Sequence, residues 1–199
     1  MDSIIEMDKK LLLFLNSLHH PWLDPVMFYF TQTFFWLPLY AFLIFLIFKN
    51  YGTRSWYLLI GIAVTITIAD QITSSLMKPF FARFRPSHEP SLKGAVHLVK
   101  NYFGEGVYKG GLYGFASSHA ANTFGTAIFL WLTLRPFYRW TAWIFLWAAL
   151  MTYTRIYLGV HYPGDIVVGA LVGAACGWMG FKFSSWLLNR SNVSSVTPN

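Results

Sequence analysis

The sequence predicts an all-α integral membrane protein, a helical bundle with five or six transmembrane helices forming one domain over residues 1–199. Two observations carry this expectation. The first is composition: 55% of residues are hydrophobic and 20% aromatic, while only 12% are charged, against about 25% in an ordinary soluble domain. The second is placement, because the charges fall between long apolar segments rather than through them. A mean hydropathy of +0.45 agrees.

Taken in chain order, the first element is an amphipathic helix within residues 1–20. Ile4, Met7, Leu11, Phe14 and Leu18 recur at helical spacing on one face, with Asp2, Glu6, Lys9, Lys10 and Ser17 opposite. Such a helix lies in a membrane interface; a short sixth span beginning after Lys10 is the alternative. The acidic start, without a small-residue cleavage site, argues against a cleaved signal peptide. Residues 26–48 then form a charge-free run above the roughly 20 residues that a span needs. Residues 56–77 give a second span containing Asp70, and residues 116–134, 140–157 and 165–188 give three more. Gly169, Gly173 and Gly177 repeat every fourth residue on the last, a small-residue seam for close helix contact inside the bundle or, less favoured, for dimerisation. The tail 191–199 is polar and is expected to be flexible; its Asn192-Val193-Ser194 sequon would lie in the cytoplasm.

Charge orients the bundle. Lys49, Arg54, Arg135, Arg139, Lys182 and Arg190 fall at one set of helix ends, with no Asp or Glu among them. The positive-inside rule puts that set in the cytoplasm and residues 80–114 outside. This outer connection holds six glycines, Pro86, Pro90, His88 and His97; it reads as a substrate-capturing lid or as a solvated linker. The net charge of +7 does not indicate nucleic acid, since no basic run or stripe is present. Cys176 is the sole cysteine, so no internal disulfide can form.

Three clusters lie at the outer ends of these spans: Lys78 to Pro86, Ser117-Ser118-His119, and Arg155 through His161 to Asp165. Lys78, Arg85 and Arg155 bring fixed positive charge, and the guanidinium fork suits phosphate oxygens. Ser117 opens a helix, where its hydroxyl and nearby N–H groups favour an anion. His161 and Asp165, four residues apart, place a carboxylate against one ring nitrogen and leave the other basic. His119, from another helix, is positioned to give a proton to a leaving oxygen. The rival readings are a merely structural His161–Asp165 pair and a metal held by His119, His161 and Asp165; three neighbouring cations oppose the metal. Asp70, Ser74 and Lys78 share a helical face, so Asp70 reads as possible support for the site.

The pattern Lys-x6-Arg-Pro, Ser-x-His, Arg-x5-His-x3-Asp resembles the type 2 phosphatidic acid phosphatase (PAP2) superfamily across residues 78–165. The resemblance implies a metal-independent lipid phosphatase, without cofactor, in a bacterial inner membrane with its site facing the periplasm or exterior. It implies a phosphohistidine at His161, oriented by Asp165, with His119 as acid. Lys78, Arg85, Ser117, the Ser118 backbone N–H and Arg155 would hold the phosphoryl oxygens. The second motif usually reads Pro-Ser-Gly-His, whereas here it is Ala116-Ser117-Ser118-His119; Thr154 stands where Ser usually precedes the arginine. The substrates implied are phosphorylated lipids such as undecaprenyl pyrophosphate, phosphatidylglycerol phosphate, phosphatidic acid or phosphorylated lipid A. The other partners expected are membrane lipids, with no nucleic acid and no obligatory protein partner. A phosphotransferase between lipids and a non-catalytic anion-binding membrane transporter are the alternatives.

Overall fold

The computed structural model describes residues 2–194. In chain order these form α1 (Asp2–Ser17), α2 (Leu23–Phe30), α3 (Leu37–Tyr51), α4 (Ser55–Asp70), α5 (Lys78–Phe81), α6 (Ser118–Leu134), α7 (Ile144–Tyr157) and α8 (Pro163–Ser194), with short 3-10 turns between several of them. The fold is all-helical; the described residues contribute only two isolated bridges, Phe84 with Tyr113 and Lys100 with Val107. Two helical stretches, Thr33–Phe81 and Pro163–Arg190, are long and apolar enough to cross a membrane.

α6 occupies the centre, packed against α8, α4 and α7. Its contact with α8 runs along the glycine seam. A side chain at Gly169, Gly173 or Gly177 would collide with the backbone carbonyls of Ser117, Ala121 and Gly125 respectively. The seam therefore packs within the bundle, as its spacing suggested. Around it, Leu43, Leu46, Leu58, Phe129, Leu134 and Trp147 form the largest buried cluster. Threonine hydroxyls inside the bundle bond back to their own helices, as Thr65 does to the Gly61 carbonyl at 2.8 Å and Thr133 to Phe129 at 2.8 Å. These bonds satisfy those two hydroxyl donors in an apolar setting.

Two expectations about elements change. Residues 26–48 are not one span: α2 ends at Phe30, a 3-10 turn covers Thr33–Trp36, and α3 starts at Leu37 with Pro38 in its first turn. The absence of charge does not signal such a break; Pro38, which is tolerated in a first helical turn and not in a helix interior, is the residue that marks it. The second span, by contrast, runs further than expected, with a π-helical segment Gln71–Met77 joining α4 to α5. The widened turn leads to Ala82 in the left-handed region (φ 46°), which swings the chain into Arg83 and Arg85.

α1 exposes Ile4, Met7, Leu11 and Phe14 in one stripe, which Leu18 continues just past its end. It also buries Leu12 and Asn16, a third face that the two-sided sequence pattern did not separate. Asn16 Nδ2 donates to the Tyr157 carbonyl at 2.8 Å and its Oδ1 accepts from His97 N at 2.8 Å. These bonds tie α1 to the end of α7 and to the long connection. That connection is folded rather than a plain linker: Arg85 N donates to Leu112 O and Gly114 N to Arg83 O, at 3.0 and 2.9 Å. Val99 at its centre is fully buried. At the C-terminus α8 continues to Ser194, past the expected start of the flexible tail. The rest of that tail, 195–199, lies outside the described residues.

Candidate active site

The start of α6, the end of α7, the start of α8 and the two ends of the 82–114 connection converge at one end of the bundle. The chain directions put Lys49, Arg54, Arg135 and Arg139 at the other end, at or beyond the C-termini of α3 and α6. His161 sits in the turn before α8 and is buried at 2% exposure. Its Nδ1 donates to Asp165 Oδ2 at 3.2 Å, and its Nε2 accepts from Arg85 Nη1 at 2.9 Å. This pairing fixes one tautomer: the proton on Nδ1, the lone pair on Nε2. Burial, then the Arg85 and Arg155 guanidiniums, hold the imidazole pKa well below its ordinary value.

Asp165 is fully occupied. Its Oδ2 also accepts from Tyr162 N at 3.1 Å, and its Oδ1 accepts from Arg83 Nη1 at 2.9 Å. Arg83 stacks over the Tyr162 ring and donates through Nη2 to Asp8 Oδ2 at 2.7 Å. Asp8 Oδ1 in turn accepts from Gly164 N at 2.8 Å, capping the first turn of α8. Sequence reasoning assigned no role to Arg83 or Asp8. Asp8 gives no local signal for this role, since its partners lie 75 and 156 positions away.

Arg85 also donates through Nε to the Tyr113 carbonyl at 3.1 Å. Burial and the nearby Arg155 charge pull its pKa down to about 10, leaving it protonated at neutral pH. Arg155 is buried at 5% exposure. It donates to Thr31 Oγ1 at 3.0 Å and to Tyr108 OH at 3.1 Å, while its Nε has no partner. Burial raises the Tyr108 phenol, but Arg155 outweighs it and the net shift is downward. Thr31 and Tyr108 are further residues that the sequence did not single out.

Lys78 Nζ reaches Ser118 Oγ at 2.5 Å and Ser74 Oγ at 3.1 Å, and Ser74 donates to Asp70 Oδ1 at 3.2 Å. Asp70, Ser74 and Lys78 thus share a face despite the π segment, and Ser118 joins them through its hydroxyl. Ser117 caps α6, its Oγ accepting from Ala120 N at 3.3 Å, and its own N–H donates to the Asp165 carbonyl at 3.0 Å. His119 directs Nε2 at the Thr31 carbonyl, 3.0 Å away, which leaves Nδ1 as its other proton-transfer position. Every residue expected at the site is at this end of the bundle. Among the described residues no group of three His, Cys, Asp or Glu side chains gathers to hold a metal ion.

The arrangement can therefore present an unprotonated imidazole nitrogen inside a buried, cationic recess, with a second imidazole from α6 nearby. Residues 55–188, which hold every one of these motifs, match the PAP2 superfamily. The chain belongs to the PAP2 superfamily. A lipid A 4'-phosphatase of Bacteroides thetaiotaomicron is 38% identical over 201 aligned positions, covering 100% of this chain and 86% of that protein. The crystal structure of Aquifex aeolicus LpxE covers 87% of this chain and 93% of that one, at 28% identity and a TM-score of 0.57. The transmembrane PAP2-type phosphatidylglycerolphosphate phosphatase of Bacillus subtilis covers 93% and 88%, at 19% identity and a TM-score of 0.66. That last likeness concerns the fold.

Proposed function

We propose that this PAP2 protein is an integral membrane lipid phosphatase that removes phosphate through a phosphohistidine on His161. The observation that carries the reading is His161 itself, with Nδ1 engaged by Asp165 and the Nε2 lone pair free of a proton beside Arg85. α3, α4, α6, α7 and α8 cross the bilayer. The positive charges at the far helix ends put the site on the extracytoplasmic side, so that in a bacterial inner membrane it faces the periplasm or exterior.

Phosphate of the lipid enters between Lys78, Arg85, Arg155 and the start of α6, and Arg85 moves its N–H from His161 Nε2 to a phosphoryl oxygen. Nε2 attacks phosphorus; the N–P bond forms as the P–O bond to the lipid breaks, and the leaving oxygen takes the Nδ1 proton of His119, which enters the step as the imidazolium. Asp165 stabilises the positive charge on the His161 ring. Water then attacks phosphorus, giving its proton back to His119, and the N–P bond breaks to release inorganic phosphate. The Ser118 N–H, with the guanidiniums, stabilises charge on the equatorial oxygens. Asp70 steadies Lys78 through Ser74. No cofactor is required by these steps.

The substrate class is a membrane glycolipid phosphate of the kind named for the Bacteroides relative, lipid A 4'-phosphate. The test is phosphate release from lipid A by the detergent-purified protein. His161→Ala should lower kcat by at least about 10⁴-fold and abolish acid-labile labelling by ³²P-lipid. Equal activity of wild type and variant would sink the reading, and binding without turnover in both would favour an anion-binding transporter. Transfer of label to an acceptor lipid in preference to water would identify a phosphotransferase.

A further inference from the structure

α2 ends at Phe30, and the extended backbone of Gln32 (φ −83°, ψ 135°) breaks the helix there. Beyond the break, Phe35 N donates to the Gln32 carbonyl at 3.2 Å rather than reaching back to Thr31. His119 takes the carbonyl that this turn leaves: its Nε2 lies 3.0 Å from Thr31 O and 3.4 Å from Thr31 Oγ1. A carbonyl can only accept, so Nε2 carries a proton and the neutral ring keeps its lone pair on Nδ1. The Thr31 hydroxyl meanwhile accepts from Arg155 Nη1 at 3.0 Å. Thr31 itself is buried, at 2% exposure. One residue thus holds the proton donor of the proposed reaction with its backbone and a phosphate ligand with its side chain.

We propose that Thr31 is a positioning residue for proton transfer to the leaving group, and that it sets His119 and Arg155 as one unit. The inference rests on the function proposed above. In the attack step the His119 imidazolium gives its Nδ1 proton to the leaving oxygen as the P–O bond breaks, and the Nε2 proton stays on the Thr31 carbonyl throughout. Because Nε2 is engaged before and after the transfer, only Nδ1 exchanges a proton with substrate. The hydroxyl adds distance control. Thr31 O and Oγ1 belong to one residue, so two hydrogen bonds and covalent geometry fix the span from Arg155 to His119. A misplacement of about 1 Å in such a group can cost about 10²-fold in rate. The same assignment gives the chain break a purpose, since a helix continued through Thr31 would use its carbonyl for the N–H of residue 35.

Two probes isolate the proton transfer: an alkyl phosphate, whose leaving oxygen needs a proton, and an alkyl-substituted nitrophenyl phosphate, whose leaving oxygen departs as a stable anion. The readout is the ratio of kcat/KM for the nitrophenyl over the alkyl probe, measured on the full chain in detergent micelles. Thr31→Val keeps the carbonyl and the side-chain shape but removes the bond to Arg155. It should raise the ratio about tenfold over wild type, the worth of one hydrogen bond, in the same direction as His119→Ala. Thr31→Ser, which retains the hydroxyl, should stay within about threefold of wild type. A loss that acts through Arg155 alone lowers both probes alike. An unchanged ratio in Thr31→Val therefore overturns the proposal, as does a Thr31→Ser ratio equal to that of Thr31→Val. If Thr31→Val fails to fold, ¹⁵N NMR of the wild type decides: neutral His119, assigned by its absence from His119→Gln, should carry its proton on Nε2, and the opposite tautomer overturns the proposal. A His119→Ala ratio equal to that of wild type overturns the acid role of His119 and the role of Thr31 with it. Failure of the wild type to release phosphate from either probe and from lipid A overturns the phosphatase reading itself.

Discussion

The two histidines stand in opposite surroundings. Around His161 nearly every polar atom is spoken for: Nδ1 by Asp165, Nε2 by Arg85, both Asp165 oxygens, and the Arg83 fork by Asp165 and Asp8. Around His119 the polar atoms are left over. Asn122 and Trp147 line the same cavity as His119 and each has a buried polar atom without a partner, and Arg155 Nε is unpartnered where that arginine shares Thr31 with His119. The difference separates two tasks. A nucleophile must be held in one tautomer and one orientation before substrate arrives, so its shell is complete in advance. The side that faces the leaving group in the proposed reaction is less constrained before substrate arrives.

The sharpest way to break the complete shell is at Asp165. Asp165→Asn keeps the size but presents either an amide N–H or a weaker acceptor to His161 Nδ1, disturbing the tautomer. A loss of about 10³–10⁴ in kcat is expected, by the logic of carboxylate–histidine pairs, with KM changed only a few-fold because the phosphate ligands remain. A kcat within tenfold of wild type would show that Asp165 is a packing residue. Phosphohistidine trapped by rapid quench separates slow attack from slow hydrolysis.

A smaller effect should appear as a change of pH dependence. Burial and then Arg85 hold His161 below its ordinary pKa, so its nucleophilic form persists as pH falls through about 6.5, the unperturbed value. The acid limb of kcat/KM in the wild type should therefore lie below that point. Arg85→Gln removes the largest of the charge effects and leaves burial, Arg155 and Lys78 in place. The folded pKa rises, protonation of His161 begins at a higher pH, and the acid limb moves upward toward neutrality. The rate also falls, because Arg85 is a phosphate ligand, so the diagnostic quantity is the position of the limb. An unmoved limb would mean that Arg85 does not set the His161 pKa.

How much of this was legible depends on the distance over which each contact acts. His161 and Asp165 are one helical turn apart, and Asp70, Ser74 and Lys78 fall on one face of one helix, so spacing alone foretold their meetings. Lys78, Arg85, Ser117, His119 and Arg155 were legible as a pattern, because each occupies the outer end of an apolar segment that length marks as a helix. Thr31, Tyr108 and Asp8 were not. Each acts across the fold, and Thr31 needed the break between α2 and α3, which an uncharged run conceals. Asn122 and Trp147 could not be read at all, since an amide or an indole in a span is ordinary until its missing partner is seen. The glycine seam was legible because a repeat of four leaves a stripe of bare backbone, which only another helix can cover closely.

The smallest effect expected concerns how α1 reaches the shell. Asp8 does two things at once, pairing with Arg83 through Oδ2 and capping α8 through Oδ1. Asp8→Asn can keep an oxygen on Gly164 N while removing the charge, whereas Asp8→Ala removes both. The Arg83 side chain is 24% exposed and that of Asp8 13%, so the ion pair is only partly shielded and is worth up to about 1 kcal/mol. Arg83 also keeps Asp165 and the Tyr162 ring. Asp8→Asn should therefore lower kcat only about two- to fivefold, with little change in thermal midpoint. Asp8→Ala should match it in kcat and in addition lower stability by about 1 kcal/mol, the usual worth of a lost cap. If both variants lost stability equally and kept full kcat, α1 would be a strut for α8 alone. Equal kcat losses with a stability gap would make Asp8 the outermost member of the chain that ends on His161.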